Sequence, residues 1–258
     1  MALTDYTKVE YIQGADGAYI DTGIEGKRIN SYEMVFSCFD SIIHSLNAIN
    51  ALWGAEGSAN KYSFAINNNG TSYRTRYATQ SPSVTPFIFS TDPANLRVLR
   101  IKMETLESGG TIKITDYLTD AELSSGSYTY GASTTNLTRN IYVLAMNRSS
   151  GGTPDYEGVY CRVHYFKIYN AVSGSVLREY IPIKNAQGKG GLYDLVSDTA
   201  FWSGGSDLGP GPEIKDASKI WIRQSGSWNS GTPYIRQSGS WNAGKPYIRQ
   251  SGSWNQGS

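Results

Sequence analysis

Two histidines, His44 and His164, and two cysteines, Cys38 and Cys161, are all that this chain offers for nucleophilic or metal chemistry beyond carboxylates and hydroxyls. No Ser or Cys stands in a nucleophile elbow or a comparable local signature. Cys-x-x-Cys and His-x-x-x-His spacings are absent, so no zinc or other metal site is expected. His164 lies in an apolar run and reads as a packed core or interface histidine, and the cysteines read as buried free thiols. Glu10, Asp21, Glu33, Glu56, Glu104 and Glu179 stand singly, whereas a glycosidase strand alternates its acids so that two project into one groove. The expectation is therefore no catalytic residue and no enzymatic activity. Calcium is the one cofactor left open: Asp155 with Glu157, or Asp194 with Asp198, are pairs of the kind that calcium-holding loops use, and equally the kind found in ordinary solvated loops.

Binding chemistry is better represented. Asn67, Asn69, Tyr73, Arg74 and Tyr77 bring amides, a guanidinium and phenol rings into one expected hairpin, a mixture suited to sugar hydroxyls and ring faces. An ordinary polar sheet face would have the same composition. In the last 38 residues an aromatic-Ile-Arg-Gln-Ser-Gly-Ser-Trp-Asn unit recurs three times with a 13-residue period. It sets Trp221, Arg223 and Trp228, then Tyr234, Arg236 and Trp241, then Tyr247, Arg249 and Trp254 at matching places, where Arg and Trp could stack between units or between chains. Assembly is the favoured role for these residues, with a glycan platform as the alternative.

The elements that must position these groups read as β throughout. Charged residues are 17% of the chain, against roughly 25% in an average soluble domain, while aromatics reach 12%, with 19 Tyr and 28 Gly. Such a composition favours strands joined by tight turns. The alternation of Tyr73, Thr75 and Tyr77 against Arg74 and Arg76, and of Ile112 and Ile114 against Lys113, marks half-exposed strands. Residues 158–170 and 32–39 carry apolar residues on both faces, as a doubly covered strand would. Only Ile42, Leu46, Ile49 and Trp53 suggest a short helix or ordered loop. Three zones follow: a domain at 1–203, a Gly/Pro/Ser-rich linker at 204–219, and three β-hairpin repeats at 220–258. Lys and Arg number 23 against 22 Asp and Glu, which excludes nucleic-acid binding by bulk charge. No secretory signal and no apolar stretch long enough to cross a membrane is visible.

VEYIQGADGAYIDTGI (9–24), ALWGAE (51–56), YVLAMN (142–147), VHYFKIYN (163–170) and REYIPIKNAQGKGGLYDLVSDTAFW (178–202) together resemble the concanavalin A-like, laminin G-like jelly-roll domains of phage and prophage tail proteins. The likeness covers about 5–203. It implies a sandwich of two antiparallel sheets, with Gly14, Gly17 and Gly23 at early turns. It also implies a non-enzymatic virion protein: an exposed adhesion module directed at host cell-surface glycans, with repeats for oligomerisation or particle attachment. A homo-oligomer, trimer favoured, and other virion proteins are the implied partners. The chain would be made in the bacterial cytoplasm and released by lysis. Two alternatives are a head-fibre, collar or capsid-decoration protein and a polysaccharide-degrading jelly-roll hydrolase.

Overall fold

The computed structural model describes residues 2–38, 49–57, 61–67, 73–78, 83–84, 97–106, 109–129, 136–148, 154–155, 161–214, and the repeat strands within 220–256. For 49–50, 61, 66–67, 73–78, 83–84, 106, 129, 154–155 and the repeats it describes the backbone alone. The chain forms two compact units, Met1–Pro212 and Glu213–Ser258.

The first unit is an all-β sandwich. Its strands begin with β1 (Thr7–Lys8), β2 (Ile12–Gln13), β3 (Ile20–Glu25), β4 (Asn30–Cys38), β5 (Ile49–Glu56), β6 (Lys61–Asn67), β7 (Tyr73–Ala78) and β8 (Ser83–Val84). They continue with β9 (Leu99–Leu106), β10 (Gly109–Asp116), β11 (Glu122–Thr129), β12 (Asn140–Val143), β13 (Met146–Asn147) and β14 (Pro154–Asp155). The last are β15 (Cys161–Asn170), β16 (Val176–Lys184), β17 (Gly190–Asp194), β18 (Thr199–Trp202) and β19 (Gly209–Pro210). The larger sheet runs β11-β10-β9-β4-β15-β16-β17-β18, and the smaller runs β14-β13-β5-β6-β7-β8, with β12 pairing β5 and β3 pairing β12. Among the described strands pairing is antiparallel except between β13 and β5. Among the described residues the only helical turn is a 3-10 turn at Leu3–Asp5. Ile49 and Trp53, expected at helical spacing, lie in β5 instead, while Ile42 and Leu46 fall outside the described residues.

An aromatic stack fills the space between the sheets. Tyr32, Phe166 and Tyr180, from three adjacent strands of the larger sheet, lie nearly parallel, with centroids 6.4 and 6.2 Å apart. Trp53 crosses from the smaller sheet to within 5.7 Å of both Tyr32 and Phe166 and 5.2 Å of Phe64. All five rings are fully buried. The Tyr180 hydroxyl donates to Thr22 O on β3, tying the two sheets together.

The two-sided pattern in β15 has a cause other than double coverage. Val163 opposes Phe36 and Tyr165 opposes Val35, which leaves His164 as an inserted residue, a β-bulge. The bulge shifts the strand by one residue, so Cys161 and Val163 before it, and Phe166 and Ile168 after it, all reach the same core. By contrast β4 is buried on both faces along nearly its whole length, as expected for a central strand. In β10 the alternation is as written in the sequence: Ile112 and Ile114 inward, Thr111 and Lys113 outward.

Residues 203–212, whose composition reads as linker, run along the sandwich. Gly204 N donates to Tyr19 O, Ser206 N to Gly17 O, Leu208 is buried, and β19 pairs with β2. Gly17, with φ of 73°, takes a conformation that a side chain would strain.

The second unit contains three hairpins, Ile220–Gln224 with Ser227–Gly231, Tyr234–Gln237 with Ser240–Ala243, and Tyr247–Gln250 with Ser253–Gln256, each its own two-stranded sheet. Within each, the Arg of the first strand is the register partner of the Trp of the second: Arg223 with Trp228, Arg236 with Trp241, Arg249 with Trp254. Each Arg and the Trp at its matching place thus occupy facing positions within one hairpin. Trp221, Tyr234 and Tyr247 sit two positions earlier, opposite Ser230, Ala243 and Gln256.

Candidate functional site

The hairpin set nominated for glycan contact is divided by its strand. Tyr73 and Tyr77 take register positions opposite Ile66 and Tyr62, and Tyr62 belongs to the core, whereas Arg74 is opposite Ala65, out of phase with both. Asn67 ends β6 opposite Ile49, and Asn69 lies outside the described residues. A period of two cannot bring Tyr73, Tyr77 and Arg74 onto one face.

The outward face of the larger sheet gathers polar chemistry that the sequence leaves scattered. Register sets Ser125, Lys113, Lys102, Glu33, Lys167 and Glu179 side by side across six strands. Ser127, Thr111 and Glu104 form the row on one side, and Thr115, Arg100, Val35 and Tyr165 the row on the other. Over β9, β10 and β11 these rows line an open groove of about 670 Å³.

Charge in the groove is balanced locally. Lys102 and Lys113 are direct cross-strand partners, an arrangement that would repel if left alone. Each is met by a carboxylate: Lys102 by Glu104, and Lys113 by Glu122 at 2.9 Å. The bond to Glu104 raises the Lys102 pKa against the opposing effect of burial, and the bond from Lys113 lowers that of Glu122. Arg100 sits between Glu33 at 3.4 Å and Asp120 at 3.0 Å, 4.9 Å from the centre of the Tyr117 ring.

The turn from β10 to β11 places that end of the groove. Asp116 accepts bonds from Leu118 N, Thr119 N and Thr119 Oγ1, closing an Asx-type turn, and from Arg97 Nε at 2.7 Å. The Arg97 bond, with those from the turn, holds its carboxyl at about 2. Asp120 has φ of 55°, a left-handed conformation that Asp tolerates better than most residues. On the groove wall, Thr115 is nine-tenths buried and its Oγ1 has no hydrogen-bond partner among the described residues. A buried hydroxyl without a partner is costly unless a ligand or water completes it.

The other nominated groups have structural duties. Asp194 is fully buried and accepts from Glu179 N, Val196 N and Ser197 N, with Arg178 Nε at 3.5 Å. Asp198 accepts from the Tyr193 hydroxyl. Both oxygens of Asp194 are thus engaged by protein donors, whereas Asp198 is exposed. The Asp155 side chain and Glu157 are not described. Among the described residues no three His, Cys, Asp or Glu gather as a metal site. The Nε2 of His164 is 3.2 Å from Ser37 Oγ and its ring is edge-on to Tyr11. Burial holds its pKa down at about 4, so it is neutral at pH 7. His44 lies outside the described residues.

No protein-family model matches the chain, and no curated protein matches it. Among solved structures, it is similar to SCP-B, a member of the eqolisin family of peptidases, in complex with the tripeptide Ala-Ile-His. That match has 13% identity over 69% of this chain and 89% of the other, with a TM-score of 0.34. Two structures of scytalido-glutamic peptidase with transition-state analogues each share 11% identity over 87% of this chain and 98% of theirs, with TM-scores of 0.30 and 0.29. These neighbours are enzymes, and the expectation that the chain is not an enzyme is accordingly withdrawn. At such scores the likeness gives no residue of this chain a catalytic role. Acids that stand singly in the sequence can still share a surface: Glu33, Glu104 and Glu179 lie on one face of the sheet.

Proposed function

We propose that the sandwich is an exposed adhesion module of a phage or prophage virion protein, holding bacterial surface glycans in the groove over β9, β10 and β11. The groove is the observation that carries this reading. Alternating carboxylates, ammonium groups and hydroxyls supply both acceptors and donors to sugar hydroxyls. Thr115 Oγ1 offers one more unfilled position, and Tyr117, 41% exposed, stacks under the groove-lining Arg100. The placement on a virion rests on the family resemblance and on the terminal repeats. In this reading the repeats join copies of the chain into a homo-oligomer, a trimer by preference, or fix it to other virion proteins. Several weak sugar sites on one particle then combine into useful avidity.

The test is retention of the full-length protein on an array of bacterial surface polysaccharides, with Lys113→Ala and Glu104→Gln alongside. Each substitution is expected to weaken retention about tenfold, as loss of a charged hydrogen bond does. Absence of retention on every polysaccharide, or variants that bind like the parent, overturns the assignment. Reading the same incubations for released sugar separates holding from cleavage.

A further inference from the structure

Cys38 and Cys161 are direct register partners across β4 and β15, 123 positions apart in sequence, and both carry free thiols buried in the core. The type of pairing matters. Gly14 N donates to Cys161 O at 2.9 Å, so the Cys161 carbonyl points toward β2 and away from β4. On an antiparallel strand the N–H and C=O of one residue point the same way, which makes Cys38 and Cys161 a non-hydrogen-bonded pair. Such pairs have the closer side chains, with Cα atoms about 4.5 Å apart. That spacing falls within the roughly 4.4–6.8 Å range that disulfides span. Burial, and after it the neighbouring Cys161 thiol, pushes the Cys38 thiol up.

We propose that Cys38 and Cys161 are a covalent modification site, a dithiol that oxidises to a disulfide stapling β4 to β15 at the centre of the larger sheet. The oxidant is a small disulfide such as glutathione disulfide. One protein thiolate attacks a glutathione sulfur and releases one glutathione. The second protein thiol then gives up its proton and displaces the other glutathione, so two S–H bonds become one S–S bond and two glutathione molecules leave. Both thiols are buried, so a local opening of β4 and β15 must expose them before they react. With the thiols buried and held protonated, oxidation is slow and follows that opening. This inference does not depend on the proposed adhesion role.

The full-length protein is incubated with glutathione disulfide a few degrees below its thermal midpoint, then digested without reduction. The expected product is one peptide pair linked through Cys38 and Cys161, an intact mass lower by two hydrogens, and a midpoint raised by roughly 5–15 °C, reversed by dithiothreitol. Two thiols still alkylated by iodoacetamide after unfolding, or glutathione adducts and linked dimers in place of the internal bond, overturn the proposal. Cys38→Ser is expected to gain no thermal shift under the same treatment. An equal shift in that variant also refutes the staple.

Discussion

The two faces of the larger sheet are built by the same strands and obey different rules. On the inner face Ile101, Met103, Ile112, Ile114, Val163, Phe166 and Ile168 are fully buried, and their fit with Trp53 and its neighbours is a matter of volume. On the outer face Lys102, Glu104, Lys113 and Glu122 are about half exposed and their fit is a matter of charge and register. Packing tolerates little change in size, while exposed ion pairs add little to stability and can be exchanged. The outer face is thus the surface that can be altered for recognition without loss of the fold.

The comparison breaks most readily from the inside. Trp53→Ala is expected to cost about 3–5 kcal/mol, read as a lower urea midpoint; a loss below about 1 kcal/mol would mean that the sheets do not rely on this ring for their contact. Asp194→Ala removes the acceptor of three backbone N–H groups and the partner of Arg178. It is expected to cost about 3 kcal/mol, with Asp194→Asn recovering part of the loss.

Acid sharpens the distinction. His164 is held at about 4, whereas the unfolded chain binds that proton near 6.5. Between these values the unfolded state holds more protons, so stability is full above about pH 6.5 and falls as pH drops toward about 4. Asp116, at about 2 against roughly 3.9 unfolded, adds a second decline from about pH 4 to 2. Urea midpoints across pH should show both, and Asp116→Asn should flatten the lower one alone. The smallest effect belongs to the outer face: Lys113→Ala should shift stability by no more than about 0.5 kcal/mol while weakening glycan retention. A large stability loss there would make the groove part of the scaffold.

Strand content, the alternation in β10 and the three hairpin repeats were legible because they depend on neighbours within a few residues. A period of two and a Ser-Gly pair are written in adjacent positions. Less legible was β15, where the residues on both faces look equally apolar until the bulge at His164 is known. Composition also misled at 204–212, where small polar residues that read as a tether instead hydrogen-bond along the sandwich. The nominated sugar-binding set is divided for a related reason: Tyr73, Arg74 and Tyr77 are near in sequence and take alternate positions along β7. Proximity along a strand is not proximity in space.

By itself the sequence determined the class of fold and the repeat, because local propensity and turn chemistry act over a handful of residues. Only the tertiary structure decided which distant residues share a face. Strand register, set by long-range pairing and by single-residue bulges, laid Glu33 beside Lys102, Lys113 beside Ser125, and Cys38 against Cys161. A shift of one residue in any of those pairings would turn every side chain along the strand to the opposite face.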